Sequence, residues 1–250
     1  MPPTPRTQPE QHPPPVQWLR VKYAKRGRAR FTSHRDFGRA FERALRRAGV
    51  PMAYSSGFSP HPRISYPNAS PTGAASEAEY LEIGLAAACD PDKVQASLDA
   101  ALPPGLDVVE VAVARSGALA EELTGSRWQV ALAGLSSATL QDARDAFLAQ
   151  DEVLVQRMTK NGVREFDARA AVIRLEVEDG WLTMILAHET PLVRPDDVLA
   201  ALRTASTEFA PMEAPILTRL AQGRLDRESG AISEPGHADP RGAARRTDQL

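Results

Sequence analysis

The 250-residue chain contains a single cysteine, Cys89, so it can form neither a disulfide framework nor a Cys-only metal or iron–sulfur site. It has no run of about 18 apolar residues, which leaves no helical membrane span and no membrane partner to expect. Its first fifteen residues hold seven prolines and lack the basic-then-apolar order of a signal peptide. The phosphate-cradling GxxxxGKS/T run and the dinucleotide GxGxxG run are both missing, so no cofactor is expected. These absences point to a cytoplasmic protein with little scope for redox chemistry.

Positive charge, by contrast, is concentrated. Between Val16 and Arg63 stand 12 Lys or Arg residues against two acids, whereas Ile64 to Leu250 holds 17 basic and 29 acidic residues. The overall balance of −2 hides that split. Clustered cations raise the local potential and concentrate polyanions, which makes RNA or a ribonucleoprotein the first partner to consider.

An internal match organises the rest. Pro91-Asp92-Lys93-Val94 followed by Leu98 resembles Pro195-Asp196-Asp197-Val198 followed by Leu202, an offset of 104 residues. Each segment offers proline at the first helical position, acids in the first turn, and Val and Leu on one face. The same offset carries the basic helix at 34–48 onto an apolar stripe of Leu140, Ala143, Phe147 and Leu148. Alternating runs at Leu19–Tyr23, Tyr80–Leu85, Leu106–Val113, Trp128–Ala133 and Ile216–Leu220 predict strands. Asn161-Gly162 and Asp179-Gly180 predict hairpins. Short strands are also expected at 52–55 and 64–66.

The economical fold is α+β: two tandem ferredoxin-like (βαββαβ) units, related by an internal duplication, between disordered tails. Residues 1–15 read as a Pro-rich disordered leader and 16–115 as a basic unit carrying the site. Residues 126–221 form the second unit, and 222–250 read as a disordered tail. A single larger mixed sheet with helices on one face is the alternative.

Ser33 to Gly49 is the best-defined helix. Ser33 with Asp36 approximates a capping box, and Phe37, Ala40, Phe41, Ala44, Leu45 and Ala48 share one face. The other face carries Arg35, Arg39, Arg43, Arg46 and Arg47, with Glu42 spaced to pair with Arg46. Arg28 and Arg30 precede the helix and extend the same anion-binding surface, where a guanidinium fork suits phosphate. The following loop, Ser55 to Arg63, holds His61 between Pro60 and Pro62 in an extended frame. Ser55, Gly57, Phe58, His61 and Arg63 are its candidate contacts, Phe58 reading as a core anchor ahead of a base-stacking platform. Glu77, Glu79 and Glu82 read as strand or loop charges that pair with the arginine helix. His188-Glu189 reads as a hairpin end at the surface.

The runs Phe31-Thr32-Ser33-His34-Arg35-Asp36, Gly57-Phe58-Ser59-Pro60-His61-Pro62-Arg63 and Ser76-Glu77-Ala78-Glu79-Tyr80-Leu81-Glu82 resemble a bacterial family of unknown function. Its members are described as radical-SAM-associated or radical-SAM-linked, some fused behind a cobalamin-binding-type radical SAM protein and others, like this one, standing alone. The resemblance implies RNA or translation biology and a separate radical SAM protein as partner. A radical SAM enzyme binds its cluster through three cysteines, so a chain with only Cys89 is not that enzyme.

Three functional expectations follow. The first is a non-catalytic accessory that binds RNA or a ribonucleoprotein through the basic helix and loop. The second is a metal-independent endoribonuclease in which His34 and His61, with Asp36 nearby, serve as general base and acid. The third is a binder of a small phosphate-bearing ligand. A metal site from His34, Asp36 and His61 is not expected, because the spacing matches no ligand motif and arginines surround it.

Overall fold

Alternation along β1 (Gln17–Lys25) sends Leu19, Val21 and Tyr23 to one side and Arg20 and Lys22 to the other. The computed structural model describes residues 11–114, 119–159, 162–178 and 180–236. After a short 3-10 turn at Gly27–Phe31, Ser33 accepts the Asp36 N–H at 3.2 Å and starts α1 (His34–Arg47). Phe37, Phe41 and Leu45 of α1 bury against Leu19, Val21, Leu81 and Ile83. β2 (Ile64–Ser65) is brief, and the strand expected at 52–55 is only a pair of bridges, Met52 with Leu85 and Tyr54 with Pro62. The prolines nearby remove ladder donors and limit pairing there. β3 (Ala75–Leu85), α2 (Pro91–Ala101) and β4 (Leu106–Val113) complete the first half, with Val94 and Leu98 of α2 in the same core.

A four-residue helix, α3 (Leu119–Glu122), leads into the second half. That half contains β5 (Gly125–Ala131), α4 (Ser137–Leu148), a hairpin of β6 (Leu154–Thr159) and β7 (Gly162–Asp167), then β8 (Val172–Glu178) and β9 (Trp181–Ala187). It ends with α5 (Pro195–Ala205), β10 (Ile216–Leu225) and the short β11 (Ile232–Ser233). Leu140, Phe147, Val198 and Leu202 pack with Trp128 and Val130 in a second core. The turn residues Asn161 and Asp179 lie outside the described residues, but β6 and β8 pair antiparallel with β7 and β9 as the hairpin signals require.

Strands from both halves belong to one nine-stranded mixed sheet in the order β4-β1-β3-β10-β5-β9-β8, with β2 beside β3 and β11 beside β10. Among the described strands only the β3–β10 pairing is parallel, Ala75 opposite Thr218 and Ser76 opposite Arg219. At this seam Glu79 binds Arg219 at 2.9 Å, with both side chains at most 4% exposed. Glu79 shares the face of Tyr23 and Leu81, and Arg219 lies over the Trp128 ring at 4.7 Å. The helix layers of the two halves therefore lie on the same side of the sheet, separated by a groove above the seam.

The opposite side is closed differently. Arg20, 2% exposed, binds Glu82 at 2.9 Å and Glu122 at 3.2 Å, and donates to the Gly236 carbonyl at 2.6 Å. The Gly236 N–H returns a bond to Glu122 at 2.7 Å, and Glu234 pairs with Lys22. Ala78, Tyr80, Leu119 and Leu123 form a small apolar cluster on this side. This corrects the expectation of a disordered tail from residue 222: over 222–236 the chain extends β10, turns, and adds β11, with Gln222 fully buried. Its Gly, Asp and Arg content hid this because partners elsewhere in the chain, not apolar bulk, hold it down. Residues 1–10 and 237–250 lie outside the described residues. In 11–15 the His12 N–H reaches Ser56 Oγ at 2.9 Å.

Arg20→Ala would leave Glu82 and Glu122 buried without their counter-charge, and we expect a loss of about 3–5 kcal/mol in urea unfolding at neutral pH. Burial alone would raise the Glu122 carboxyl, but the Arg20 and Gly236 hydrogen bonds and the Arg20 charge outweigh it and hold it below the ordinary carboxylate value. Its contribution is thus present above that ordinary value and lost as pH falls through the lowered one. The acid limb of a melting-temperature profile should be shallower in Glu122→Gln than in the parent chain.

Candidate functional site

The outer face of α1 is what its spacing requires. Arg35, Arg39, Arg43 and Arg46 are exposed, and among the described residues none of them forms an ion pair. Glu42 does not reach Arg46 within 4 Å, so that expected pair is corrected. Arg47 is tied down, since its guanidinium donates to the Ala101 carbonyl at the end of α2. Arg28 is exposed, whereas Arg30 is half-buried and stacks on Phe31 at 4.7 Å. The acids near this face look elsewhere: Glu77 binds Arg26, Glu79 binds Arg219 and Glu82 binds Arg20. Their expected pairing with the arginine helix is not formed, because alternation along β3 turns Glu79 and Glu82 to opposite sides of the sheet. Among the described residues no carboxylate lies within 4 Å of Arg35, Arg39, Arg43 or Arg46.

The loop after α1 is rigid. Ser55 N–H donates to the His61 carbonyl at 2.8 Å, and His61 N–H donates to Ser55 Oγ at 3.0 Å. Gly57 sits at φ 126°, a region that penalises any side chain. Arg63 is half-buried with Nε donating to the Tyr54 carbonyl at 3.3 Å. Phe58 is 73% exposed, so it is not a core anchor. A hairpin-like loop this narrow gives its ring no interior to enter.

His34 and His61 are not brought together. His34 stands at the first turn of α1, its ring edge-on to Tyr66 with centroids 5.2 Å apart. His61 lies with Glu42, Leu45 and Arg46, two to three turns further along the helix. At 1.5 Å per residue that is an axial offset of about 12–18 Å, too far for one scissile bond. Asp36 is engaged by Ser33, whose hydroxyl donates to Oδ2 at 2.7 Å. Among the described residues no three His, Cys, Asp or Glu side chains are grouped to hold a metal.

His34 instead opens onto a cleft whose lining from the second half sequence reasoning missed. The cleft has a volume of about 310 Å3 and lies in the groove above the β3–β10 seam. The first half supplies His34 and the segment 69–72; the second supplies Ser126, Trp128, His188, Arg219 and the segment 192–195 leading into α5. Two arginines and two histidines line it, and no carboxylate does. Arg219 is fixed by Glu79 and by the Asn68 carbonyl at 2.9 Å, yet its Nε has no partner, and neither has Ser70 Oγ. Ser70 is held through its backbone, whose N–H donates to Glu79 at 2.8 Å.

A hydrogen-bonded chain runs along the cleft floor. His188 Nδ1 lies 2.6 Å from the Leu123 carbonyl, which can only accept, so Nδ1 carries the proton. Nε2 then accepts from Ser126 Oγ at 2.9 Å, and Ser126 Oγ accepts from Trp128 Nε1 at 2.9 Å. Burial pushes His188 down to about 4; the Leu123 hydrogen bond opposes this and the Arg219 charge adds to it. The connectivity is that of a hydroxyl and a base. An imidazole this weakly basic, beside a hydroxyl already receiving a proton from indole, is poorly matched to nucleophile activation near neutral pH. The floor is built to hold a shape. His188 is thus half-buried within the cleft and is not the exposed hairpin end expected; the paired neighbours Thr124 and Ser126 that draw it inward stand 62 or more residues away.

Because His188 is neutral when folded and titrates near 6.5 when unfolded, its contribution to stability is full above about 6.5. It is lost as pH falls toward about 4. We expect the melting temperature of the parent chain to decline across that interval and His188→Gln to remove that part of the decline. An imidazole resonance titrating near 6.5 in the folded state would contradict it.

A family model described as "Uncharacterized protein conserved in bacteria (DUF2344)" matches residues 18–195. No curated protein matches. Among solved structures, the "Crystal Structure of an Unknown Protein from Galdieria sulphuraria" aligns at 15% identity over 81% of this chain and 98% of that one. Its TM-score is 0.25, and it carries no argument about fold or function. No helix among the described residues is long and apolar enough to cross a membrane. The family match spans β1 through the start of α5 and so takes in the arginine helix, the rigid loop and most of the cleft; the chain belongs to the DUF2344 family, conserved in bacteria.

Proposed function

We propose that this chain binds RNA or a ribonucleoprotein through the outer face of α1 and the Ser55–Arg63 loop, without itself catalysing a reaction there. One observation carries the reading: Arg35, Arg39, Arg43 and Arg46 are exposed on a rigid helix with no acid of the described residues bound to them. Guanidinium groups spaced along a helix suit successive phosphates, and the contact releases counterions from a polyanion. Arg28 extends the row at the N-terminal end, and His61 with the exposed Phe58 supplies a polar group and a stacking ring at the other. The endoribonuclease alternative loses its main support with His34 and His61 a helix length apart.

The scaffold reading is of two ferredoxin-like units from one duplication. It is supported by the matching orders β4-β1-β3-β2 and β10-β5-β9-β8, in which corresponding strands occupy corresponding places. Helices α2 and α5 also begin at Pro91 and Pro195, at the offset read from the sequence. A separate radical SAM protein is the partner implied by the family resemblance, and any cluster would be that partner's, since this chain has one cysteine. In this role the chain would present RNA to a modification enzyme.

The double variant Arg39→Glu, Arg43→Glu should bind a single-stranded RNA about tenfold or more weakly than the parent chain. The slope of log affinity against log salt should flatten by about 0.7 for each phosphate contact removed. Filter binding or fluorescence anisotropy at several salt concentrations reads both. An RNA affinity independent of salt, or unchanged by the double substitution, refutes the reading.

A further inference from the structure

We infer that the cleft above the β3–β10 seam is a second binding site, distinct from the arginine face, and that its ligand is a nucleotide-sized phosphate monoester. The inference stands on its own observations and does not need the α1 surface to bind RNA.

Charge comes first. Two guanidinium groups, Arg194 and Arg219, border the cleft and no carboxylate lines it, while Glu79 behind Arg219 offsets part of the charge. The positive end of the 14-residue α1 dipole opens at His34 on its rim. An anion is the complementary ligand. Unsatisfied groups come second. Ser70 is 8% exposed and Arg219 is 3% exposed, and Ser70 Oγ and Arg219 Nε have no hydrogen-bond partner. Buried polar atoms are nearly always paired, and two orphans against one cleft suggest a bound acceptor completes them after a small turn of each side chain. The Ser70 hydroxyl can take a phosphate oxygen by rotating χ1, and Arg219, already anchored through one terminal nitrogen, offers a fixed fork.

Size and wall chemistry narrow the class. A volume of about 310 Å3 is near the lower end of small-ligand sites and several times what one phosphate group fills. Pro71, Leu192 and Val193 add apolar surface to the lining. A phosphate on the arginines with a ring against this apolar surface fills the space. Such a group is either a free nucleoside monophosphate or the phosphorylated end of an RNA strand.

The experiment is calorimetric titration of the full chain with AMP, GMP, CMP and UMP, with adenosine and inorganic phosphate as partial ligands, and with one short oligoribonucleotide bearing either a 5′-phosphate or a 5′-hydroxyl. Two variants accompany it. Ser70→Ala removes a hydroxyl that bonds nothing, so its melting temperature should not fall, while monophosphate affinity should drop about fivefold. Thr72→Trp, at an exposed position on the rim, should fill the mouth and abolish binding. One-to-one binding of a monophosphate, about tenfold tighter than adenosine and sensitive to both variants, supports the site. If the 5′-phosphorylated strand also outbinds its hydroxyl form, and Thr72→Trp erases that difference, the ligand is an RNA end; if the two strands bind alike, it is the free nucleotide. The Arg39→Glu, Arg43→Glu chain should keep monophosphate binding even though it loses RNA. Absence of monophosphate binding up to about 5 mM, binding untouched by both cleft variants, or binding lost with the α1 double variant would each overturn the proposal.

Discussion

Where β3 meets β10, two register pairs join the halves of the sheet, and Arg219 lies at that junction buried between Glu79 and the Trp128 ring. Such an arrangement tolerates little variation. An arginine removed from water needs its carboxylate, and Glu79 needs both Arg219 and the Ser70 N–H to satisfy its oxygens. The pair therefore specifies how the halves meet, where an apolar seam of equal area would allow sliding. Other features of the groove follow from it. Asn68 is held by its carbonyl, the 69–72 segment is set beside Glu79, and Lys25, whose ammonium reaches the Pro71 carbonyl, is pressed into the same interior. Burial lowers Lys25 and raises Tyr23 well above its ordinary value. The floor of the cleft is thus a by-product of joining two halves through charge.

Local signals were legible in the sequence and distant ones were not. The apolar spacing of Phe37, Phe41 and Leu45, the Ser33 start and Gly49 at φ 68° describe α1 in terms of neighbours a few residues apart. Pro91 and Pro195 likewise announce α2 and α5, and β4 spans the residues its alternation indicates. What failed depends on partners far along the chain. Glu79 and Arg219 are separated by 140 residues, Arg20 and Glu122 by 102, and nothing in the spacing of either links them. Glu79 and Glu82 looked like surface charges because acids usually are, yet both are almost fully buried. His188 gave no local hint, since burial beneath Asn68 and beside Ser126 is a property of the assembled groove. A buried ion network announces itself in one sequence only as an acid or base on the apolar side of an alternating strand. The excess of positive charge near the N-terminus was readable, but its division into free, stacked and tethered arginines was not.

The two candidate surfaces differ in kind. On α1 the guanidinium groups are exposed, hydrated and repeated, suited to a long partner read loosely. In the groove the groups are few, with Ser70 and Arg219 buried and pre-set, suited to a small partner read closely. His34 belongs to both, standing at the end of the arginine row and on the rim of the cleft. A strand following the helix toward its N-terminus would arrive at that rim.

The closure of the back of the sheet by Gly236 has a consequence for the order in which this protein takes shape. Arg20 and its last hydrogen-bond acceptor are 216 residues apart. While the chain is being made, β1 and β3 can pair and α1 can dock long before residues 232–236 leave the ribosome. During that interval Arg20, Glu82 and the ring of Tyr80 face solvent on the part of the sheet already formed. The first half therefore spends most of its synthesis as a half-finished surface, and the molecule is sealed from its C-terminal side only when the last strand returns.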